Sequence, residues 1–425
     1  MARTDTLIVG AGQAALALSR ELTLAGHDHV LLERGRIGER WRSERWDSLA
    51  LLTPNWANLL PGQAPTADPD GYLTGRAWAT ELERYARSFG APVRRRTTVT
   101  AVRRGRRGFA VETDDGAWSA GAVVVAAGEC GAPVRPACAG AAPTHLHQLD
   151  AAAYRSPGRL PAGGVLVVGS GPSGHQIAHE LALAGRDVTL ALGRHARIPR
   201  TYRGHDVWSW LEALGDLRRT RAELGHDPLE RPTPGFPLDG RDGGRTLDLA
   251  VLSDLGVRVT GRVVGFDGDR VRFGGELTAT AAEADERLRT LLARIDEHIA
   301  ARPDAGAFPP PELPRTVRLD AVPRTLSLRG AGITTIVWAT GFRPHHPWLR
   351  VRGAVGPNGR IRHRRGVTPV PGLFVLGARW QHRTTSHQIG GVGADARHLA
   401  PHVARAAAGA QPAGRRATAV RASSS

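Results

Sequence analysis

The chain of 425 residues contains no lysine, only two cysteines and no long apolar run. All 57 basic residues are therefore arginine, which excludes chemistry that needs a lysine Schiff base. Cys130 and Cys138 lie eight positions apart, whereas a disulfide reductase needs a closely spaced dithiol, and neither cysteine belongs to a metal-binding pattern. No apolar stretch approaches the roughly 20 residues that span a bilayer. These absences disfavour a disulfide reductase, a metalloprotein and a membrane-spanning protein.

The formal net charge of +17 could indicate nucleic-acid binding, but the arginines are spread along the chain and no recognised nucleic-acid module is present. Apolar residues make up 41% of the chain and charged residues 23%, which is typical of a globular protein with an ample core. The length predicts two or three domains. Because no early basic segment precedes an apolar one, the sequence predicts a cytoplasmic protein without a signal peptide.

A duplicated stretch dominates the sequence. The residues from Leu7 to Asp28 recur from Leu166 to Asp187, with identities at one constant offset. The identical positions in the first copy are Leu7, Val9, Gly10, Gly12, Glu21, Leu22, Leu24, Ala25, Gly26 and Asp28. Each copy has the pattern of a buried strand, a glycine turn, an amphipathic helix and a closing glycine. The sequence therefore predicts two strand–turn–helix units.

Both turns match the dinucleotide-binding fingerprint. The matching positions are Gly10, Gly12 and Ala15 in the first copy and Gly169, Gly171 and Gly174 in the second. The first glycine permits a tight turn, the second lets the backbone approach a pyrophosphate, and a small third residue lets the helix pack on the strand. The pyrophosphate then lies at the helix N-terminus, where free N–H groups favour negative charge.

The residue at the end of the second strand distinguishes the two units. Glu33 stands there in the first unit, where a carboxylate accepts hydrogen bonds from ribose hydroxyls. The second unit has Leu192 at this position, followed by arginines that include Arg194 and Arg200. Arginines without a carboxylate suit a 2′-phosphate. We therefore assign the first unit to FAD and the second to NADPH.

Further candidate FAD ligands lie in the loop after Glu33. Arg34, Arg40 and Trp41 belong to a segment rich in Trp, Arg, Gly and Pro with little regular periodicity. Long irregular segments within compact domains are usually functional. These side chains could line a flavin ring and its diphosphate, and the alternative is a surface loop packed by its own tryptophans.

Glycines at predicted strand ends supply the remaining candidates. Gly128 and Gly377 each close an apolar strand, where the backbone can pass close to a bound cofactor. Gly391 precedes the last predicted helix, whose N-terminus would stabilise negative charge on a reduced flavin. Thr340 and Gly341 end another apolar strand in the same way as Gly128, and we assign them to the NADPH site.

The expected fold is α/β, with two Rossmann-like dinucleotide-binding domains and the NADPH domain inserted into a split FAD domain. The predicted boundaries are 1–155 for the first part of the FAD domain, 156–328 for the NADPH domain with an inserted helical or irregular segment, 329–408 for the second part of the FAD domain and 409–425 for a disordered tail. Apolar periodicity predicts helices over 80–89, 282–301 and 394–408.

These features together resemble the single-component FAD- and NADPH-dependent monooxygenases, which include flavin-containing monooxygenases and related N-hydroxylases. The resemblance spans roughly Thr6 to Ala404 and rests on the runs VGAGQAA, GERWR, WDSLALLTPN, VVGSGPSG, WATGF and GLFVLG. The runs RIPRTYRGHD, GVTPVPGLFVLG and GGVGADARHLA are similar to bacterial flavin monooxygenase-like oxidoreductases.

The resemblance implies that NADPH reduces FAD and that O2 then forms a flavin C(4a)-hydroperoxide, which oxygenates a small organic substrate. Nitrogen or sulfur oxygenation is expected first, with Baeyer–Villiger oxidation as a variant. By the same resemblance Asn55 lies near the oxygenated flavin, although it could instead stabilise its Thr-Pro-Asn loop. His382 and His387 are candidate acids or bases, or else polar loop residues.

Two other functions stay open at this point. An NADPH oxidase or reductase would pass electrons to O2, a quinone or a partner protein, and a flavin-binding redox sensor would bind FAD without turnover. The expected partners are a small-molecule substrate and O2, with no nucleic acid and no membrane.

Overall fold

The computed structural model describes residues 1–230, 233–312, 315, 319 and 322–409. The strands within these ranges are, in chain order, β1 Ala2–Val9, β2 His29–Glu33, β3 Val93–Arg95, β4 Val99–Gly105, β5 Gly108–Thr113, β6 Gly116–Val125, β7 Ala132–Pro133, β8 His147–Asp150, β9 Gly164–Val168, β10 Val188–Leu192, β11 Thr201–Tyr202, β12 His205–Asp206, β13 Leu238–Asp239, β14 Arg245–Thr246, β15 Arg258–Gly261, β16 Val263–Asp267, β17 Arg270–Phe273, β18 Thr325–Ser327, β19 Ile333–Trp338, β20 Phe342–Arg343 and β21 Leu373–Val375.

The α-helices in the same ranges are α1 Gln13–Leu24, α2 Glu39–Ser43, α3 Gly75–Ser88, α4 Pro172–Leu183, α5 Val207–Ala213, α6 Leu249–Asp254, α7 Leu277–Ala300 and α8 Val392–Gly409. Among the described residues, no helix combines the length and the apolar character needed to cross a membrane.

The first sheet has the strand order β3-β2-β1-β6-β5-β4, and β21 also pairs with β6. The strands β3, β2, β1, β6 and β21 run parallel, whereas β4, β5 and β6 form an antiparallel meander. Leu7 and Ile8 in β1 are fully buried, as expected for a parallel strand covered on both faces. Helices α1, α3 and α8 contribute to the apolar core on one face of this sheet.

The second sheet has the order β15-β10-β9-β19-β8 and is parallel throughout. Its strands β9 and β10 are buried at every position. Helix α4 follows β9 and packs on it through Ile177, Ala178 and Leu181. The two duplicated stretches therefore form the first strand and helix of two separate sheets, as the repeat predicts.

Sheet pairing differs from two of the predicted domain boundaries for one strand each. β8 and β19 both pair in the second sheet, whereas the boundaries after 155 and after 328 place them in the FAD domain. A short apolar run in the sequence predicts where a strand lies, but it does not show which sheet supplies the strand's hydrogen bonds. Next to these strands, β7 pairs with β20 in antiparallel fashion, so the two connections between the sheets run side by side.

The predicted helices are present with shifted ends. The helix predicted over 80–89 is α3, which begins earlier because the side chain of Thr74 caps it by accepting from Ala77 N. The other two are α7 and α8, and α5 is a short helix within a segment without sequence periodicity. Gly409 ends α8 and therefore does not begin a tail, and residues 410–425 lie outside the described residues.

Candidate active site

The first glycine turn leaves open space where a dinucleotide would lie. Gly10 has φ +110, and a Cβ atom there would stand 2.8 Å from the carbonyl oxygen of Ala126, so only glycine fits. A Cβ at Gly12 would meet no atom within 4 Å. Ala15 is fully buried in the first turns of α1. The turn thus brings Gly12 and the free N–H groups of α1 to one open face, as pyrophosphate binding requires.

Glu33 lies directly beside this turn. Its two carboxylate oxygens accept hydrogen bonds from Ala11 N at 2.9 Å and from Gly35 N at 3.0 Å. These bonds fix the carboxylate and leave further lone pairs for ribose hydroxyls. Arg34 is half-exposed and pairs with Glu44 at 2.5 Å.

Arg40 and Trp41 lie in α2, which the bond from Gly38 N to Ala11 O ties to the same turn at 3.1 Å. The Arg40 guanidinium donates to the carbonyl oxygen of Cys130, just beyond Gly128 and the carboxyl end of β6. Arg40 is therefore held near the edge of the sheet at which the turn opens. Trp41 is partly buried and packs against the cores of both sheets.

The second glycine turn has the same geometry. Gly169 has φ +137, and a Cβ there would stand 2.2 Å from Ala339 O, while a Cβ at Gly174 would stand 2.2 Å from Gly169 O. A Cβ at Gly171 would meet nothing within 4 Å. Thr340 and Gly341 come after β19 and Ala339, beside Gly169, and Gly341 O accepts from Val134 N at 3.0 Å. The NADPH candidates at this turn are therefore brought together.

Arg194 and Arg200 occupy very different positions. Arg194 is exposed after β10, and its carbonyl oxygen accepts from Ser170 Oγ of the glycine turn at 2.7 Å. Arg200 is only 3% exposed. Its guanidinium bonds to Leu52 O at 3.0 Å and to Asp206 Oδ2 at 3.2 Å, so it is not available to a 2′-phosphate. The assignment of Arg200 to the NADPH site stays a prediction, and its burial argues against it. An arginine-rich sequence does not show which arginine is buried.

Asn55 is buried in a single 3₁₀ turn, and backbone groups engage both ends of its amide. Nδ2 donates to Asp68 O at 2.9 Å, and Oδ1 accepts from Leu73 N at 3.0 Å. The side chain thus joins its own loop to the segment before α3. The turn that carries Asn55 also lies next to the flavin candidates, since a Cβ at Gly390 would stand 2.3 Å from Ala57 O.

The loop between β21 and α8, residues 377–391, carries His382, His387 and Gly391. We call it the histidine loop. It begins at Gly377, where a Cβ would stand 2.9 Å from Ala14 Cβ in the first turn of α1. A Cβ at Gly391 would stand 1.9 Å from Thr385 O, so the loop folds tightly before the helix. The start of α1 and the start of α8 are therefore both close to this loop.

Burial lowers the pKa of His387 to about 4, with a smaller contribution from the Arg379 charge. Its Nδ1 is buried without a hydrogen-bond partner among the described residues. The pKa of His382 is also lowered, first by burial and then by the charges of Arg365 and Arg383. Both imidazoles are therefore neutral at pH 7, which favours a base over an acid.

The sequence interpretation missed Asp395 in the first turn of α8. Asp395 is 2% exposed, and burial raises its pKa, although a hydrogen bond from Ser386 opposes the shift. Ser386 Oγ in turn accepts from His382 N at 3.0 Å and from Arg383 N at 2.9 Å. Asp395 and Ser386 thus fix the histidine loop. The sequence did carry a signal for Asp395, because an acidic residue stands on the apolar face of the helix predicted over 394–408.

A segment of the second domain lies along the histidine loop. Its hydrogen bonds to the loop include Arg221 N to His382 O at 3.1 Å, Thr384 N to Arg219 O at 2.9 Å and Thr385 Oγ1 to Leu217 O at 3.0 Å. Thr220 and Arg383 form an antiparallel bridge between these bonds. The candidate flavin edge is therefore covered by the domain that carries the NADPH candidates.

The residues at these two turns fit two dinucleotides. Both turns keep an open face beside a helix N-terminus. The end of the second strand of each unit, which we call the ribose corner, carries the carboxylate of Glu33 in the first unit and the exposed Arg194 in the second. In the histidine loop and the first turn of α8 next to it, the buried atoms Gln381 Nε2, His387 Nδ1 and Asp395 Oδ2 have no hydrogen-bond partner in the part of the chain that the structure describes. Such groups are expected where a polar ring system binds.

Comparison with known proteins decides the family. A family model described as pyridine nucleotide-disulphide oxidoreductase matches residues 7–213. The uncharacterized oxidoreductase CzcO-like of Geobacillus kaustophilus is 31% identical over 400 residues, which cover 93% of this chain and 97% of that protein. The chain belongs to the CzcO-like oxidoreductases. This relationship extends over nearly the whole chain and thus includes both glycine turns.

Some other proteins that are similar to this CzcO-like oxidoreductase are named monooxygenases. The indole-3-pyruvate monooxygenase YUCCA4 of Oryza sativa subsp. japonica is 33% identical over 313 residues, covering 63% of this chain and 70% of that protein. The solved flavin-containing monooxygenase from Stenotrophomonas maltophilia has a TM-score of 0.64 at 20% identity and covers 95% of this chain and 99% of its own. The predicted two-domain fold and an FAD- and NADPH-dependent oxidoreductase are confirmed.

Acid is expected to destabilise the protein through His175 in α4. This side chain is fully buried, and burial lowers its pKa to about 4, whereas histidine in an unfolded chain titrates near 6.5. The unfolded state takes up the proton first, so stability is full above about pH 6.5 and falls as the pH drops toward 4. His175→Gln should remove about 2 kcal/mol of the stability loss between pH 7.5 and pH 5.

Urea unfolding at the two pH values measures this difference. His226 lies exposed in a loop, so His226→Gln is the matched control and should keep the pH dependence of the unsubstituted protein. If acid destabilises His175→Gln as much as the unsubstituted protein, His175 is not the group that titrates.

Proposed function

We propose that this CzcO-like oxidoreductase is an NADPH-dependent FAD monooxygenase that oxygenates a small organic substrate. Nitrogen or sulfur oxygenation is the favoured reaction, and Baeyer–Villiger oxidation is a variant of it. FAD occupies the turn at Gly10–Gly12, and NADPH occupies the turn at Gly169–Gly171. O2 and the substrate would meet the flavin at the histidine loop.

One observation carries this proposal: the chain holds two equivalent open glycine turns with opposite charges at the ribose corner. A carboxylate at Glu33 suits an unphosphorylated ribose, and the exposed cation at Arg194 suits a phosphorylated one. Two dinucleotide sites in one chain serve hydride transfer from one cofactor to the other. The names of the rice relative and of the Stenotrophomonas neighbour support oxygenation as the next step.

FAD supplies the activation of O2, and NADPH supplies the hydride. Glu33 would accept hydrogen bonds from the FAD ribose, and Arg40 would offset the charge of its diphosphate. The N-terminus of α8 at Val392 would stabilise negative charge on the reduced ring. His387 is neutral at pH 7, and its Nδ1 is the atom at which it accepts and returns a proton. Asn55 holds the adjoining loop through its two backbone bonds, and we assign it a positioning role.

Water exclusion is the second task of the chain. The segment 217–221 covers the histidine loop through the three hydrogen bonds described above. A closed site protects a reactive oxygen species from hydrolysis and side reactions. The interdomain contact therefore supports the oxygenation proposal, in which a reactive species is kept from water.

Rapid-mixing spectroscopy tests the proposal. The purified protein is reduced with NADPH without air and mixed with oxygenated buffer, both alone and with panels of amines, sulfides and ketones. We expect a long-lived near-ultraviolet absorption band before the oxidised flavin spectrum returns, and one oxygen atom from O2 in the product. Immediate reoxidation with stoichiometric hydrogen peroxide in every mixture, and no oxygenated product, would refute it.

An NADPH-dependent reductase is the second candidate, because the matching family model is that of pyridine nucleotide-disulphide oxidoreductases. Both cysteines, Cys130 and Cys138, are free and partly buried, and they are not spaced as a dithiol. A reductase would therefore pass electrons from the flavin to O2, to a quinone or to a partner protein. NADPH consumption that depends on a quinone and leaves no oxygenated product would favour it.

A further inference from the structure

The carboxyl ends of β10 and β15 bring a second arginine to the ribose corner of the second glycine turn. The two strands are parallel neighbours, and Leu192 is the register partner of Gly261. Gly193 and Arg262 therefore leave the sheet side by side. A Cβ at Gly193 would stand 3.8 Å from Cδ of Arg262, so the aliphatic stem of Arg262 passes beside Gly193.

This corner is in direct contact with the glycine turn. Ser170, between Gly169 and Gly171, donates through Oγ to the carbonyl oxygen of Arg194 at 2.7 Å. Among the described residues, no carboxylate lies within ion-pair distance of the exposed Arg194 guanidinium. Arg194 thus follows Gly193 in the chain, and the stem of Arg262 passes beside the same glycine, next to the turn that would hold the pyrophosphate.

The charge of Arg262 is only loosely compensated. Its Nε lies 3.2 Å from Oε1 of Glu276, and the two side chains are 66% and 39% exposed. An ion pair this exposed to solvent contributes little and exchanges readily. A phosphate dianion offers a stronger and bidentate acceptor for a guanidinium than one screened carboxylate.

We propose that Arg262 acts with Arg194 to bind the 2′-phosphate of NADPH and that Glu276 competes for Arg262, so that these three residues set the preference for NADPH over NADH. This proposal rests on the assignment of the second turn to NADPH under the proposed function. Arg262 takes the place that the sequence interpretation gave to Arg200. Gly193 has no side chain and therefore leaves room beside the stem of Arg262.

Calorimetric binding to the oxidised FAD-containing protein tests this without turnover. The titrants are NADP+, NAD+ and 2′,5′-ADP. Arg262→Ala should weaken NADP+ and 2′,5′-ADP about tenfold, since a hydrogen bond to a charged group is lost, and should change NAD+ binding less than about twofold. Glu276→Gln should strengthen NADP+ binding about twofold or more, because it frees Arg262, and should have no effect when Arg262→Ala is also present.

Arg258→Ala is the matched control, because Arg258 is an exposed arginine at the other end of β15. It should leave all three affinities unchanged. Three outcomes would each overturn the proposal. Arg262→Ala could lose NADP+ and NAD+ affinity equally, it could lose neither affinity, or the unsubstituted protein could show no detectable binding of NADP+. An Arg262-dependent preference for NADP+ in a protein that forms no oxygenated product would uphold it while the proposed monooxygenation failed.

Discussion

Gly12→Val is expected to yield folded protein without FAD, and Gly171→Val is expected to yield protein that holds FAD but is not reduced by NADPH. At both positions an added Cβ meets no atom within 4 Å, so the fold has room for the new side chain. That open space is where the pyrophosphate must approach the backbone. A valine there blocks the dinucleotide rather than the fold. Flavin absorbance after purification and anaerobic reduction by NADPH measure the two effects.

The controls separate lost binding from lost folding. Gly140→Val adds a side chain at another position with no atom within 4 Å, outside both turns, and should bind FAD and be reduced normally. Gly174→Val should misfold instead, because a Cβ there would stand 2.2 Å from Gly169 O. The assignment of the two sites would be reversed if Gly171→Val lost FAD and Gly12→Val retained it, with the circular dichroism of both variants unchanged.

The glycine turns could be predicted because their requirements are local. Gly10 and Gly169 are both needed where a strand turns sharply against a neighbouring carbonyl oxygen, and Glu33 lies at a fixed distance along the chain from the first turn. The fold class follows from the same repeat. Strand membership could not be predicted so well, since β8 and β19 take their sheet from hydrogen-bond partners that their own residues do not specify.

Long-range contacts also decided what the candidate site contains. Arg200 was indistinguishable from Arg194 in a sequence in which every basic residue is arginine. Its partners Leu52 and Tyr72 are 148 and 128 positions away, so no local pattern reveals its burial. Arg262 was missed for the converse reason, because only the pairing of β10 with β15 brings it to Gly193.

Arg200→Met should therefore destabilise the whole protein and leave its nucleotide preference intact. The Arg200 guanidinium joins Leu52 O of the first domain to Asp206 and to Asp239 O of the second, at 3.0 to 3.2 Å. It also lies 4.7 Å from the centroid of the Tyr72 ring. Removal of one partner from a buried ion pair leaves the other charge uncompensated, which costs roughly 3–5 kcal/mol of unfolding free energy.

Urea unfolding and calorimetric titration with NADP+ and NAD+ measure the two parts of this expectation. Arg289 pairs with Glu286 while 63% exposed, so Arg289→Met is the control and should cost less than about 1 kcal/mol. Arg200→Lys keeps the charge but loses the planar fork and should fall between the two. A stable Arg200→Met protein with a selective loss of NADP+ affinity would restore Arg200 to the 2′-phosphate site. A large loss of stability with an unchanged ratio of NADP+ to NAD+ affinity would establish Arg200 as the link between the domains.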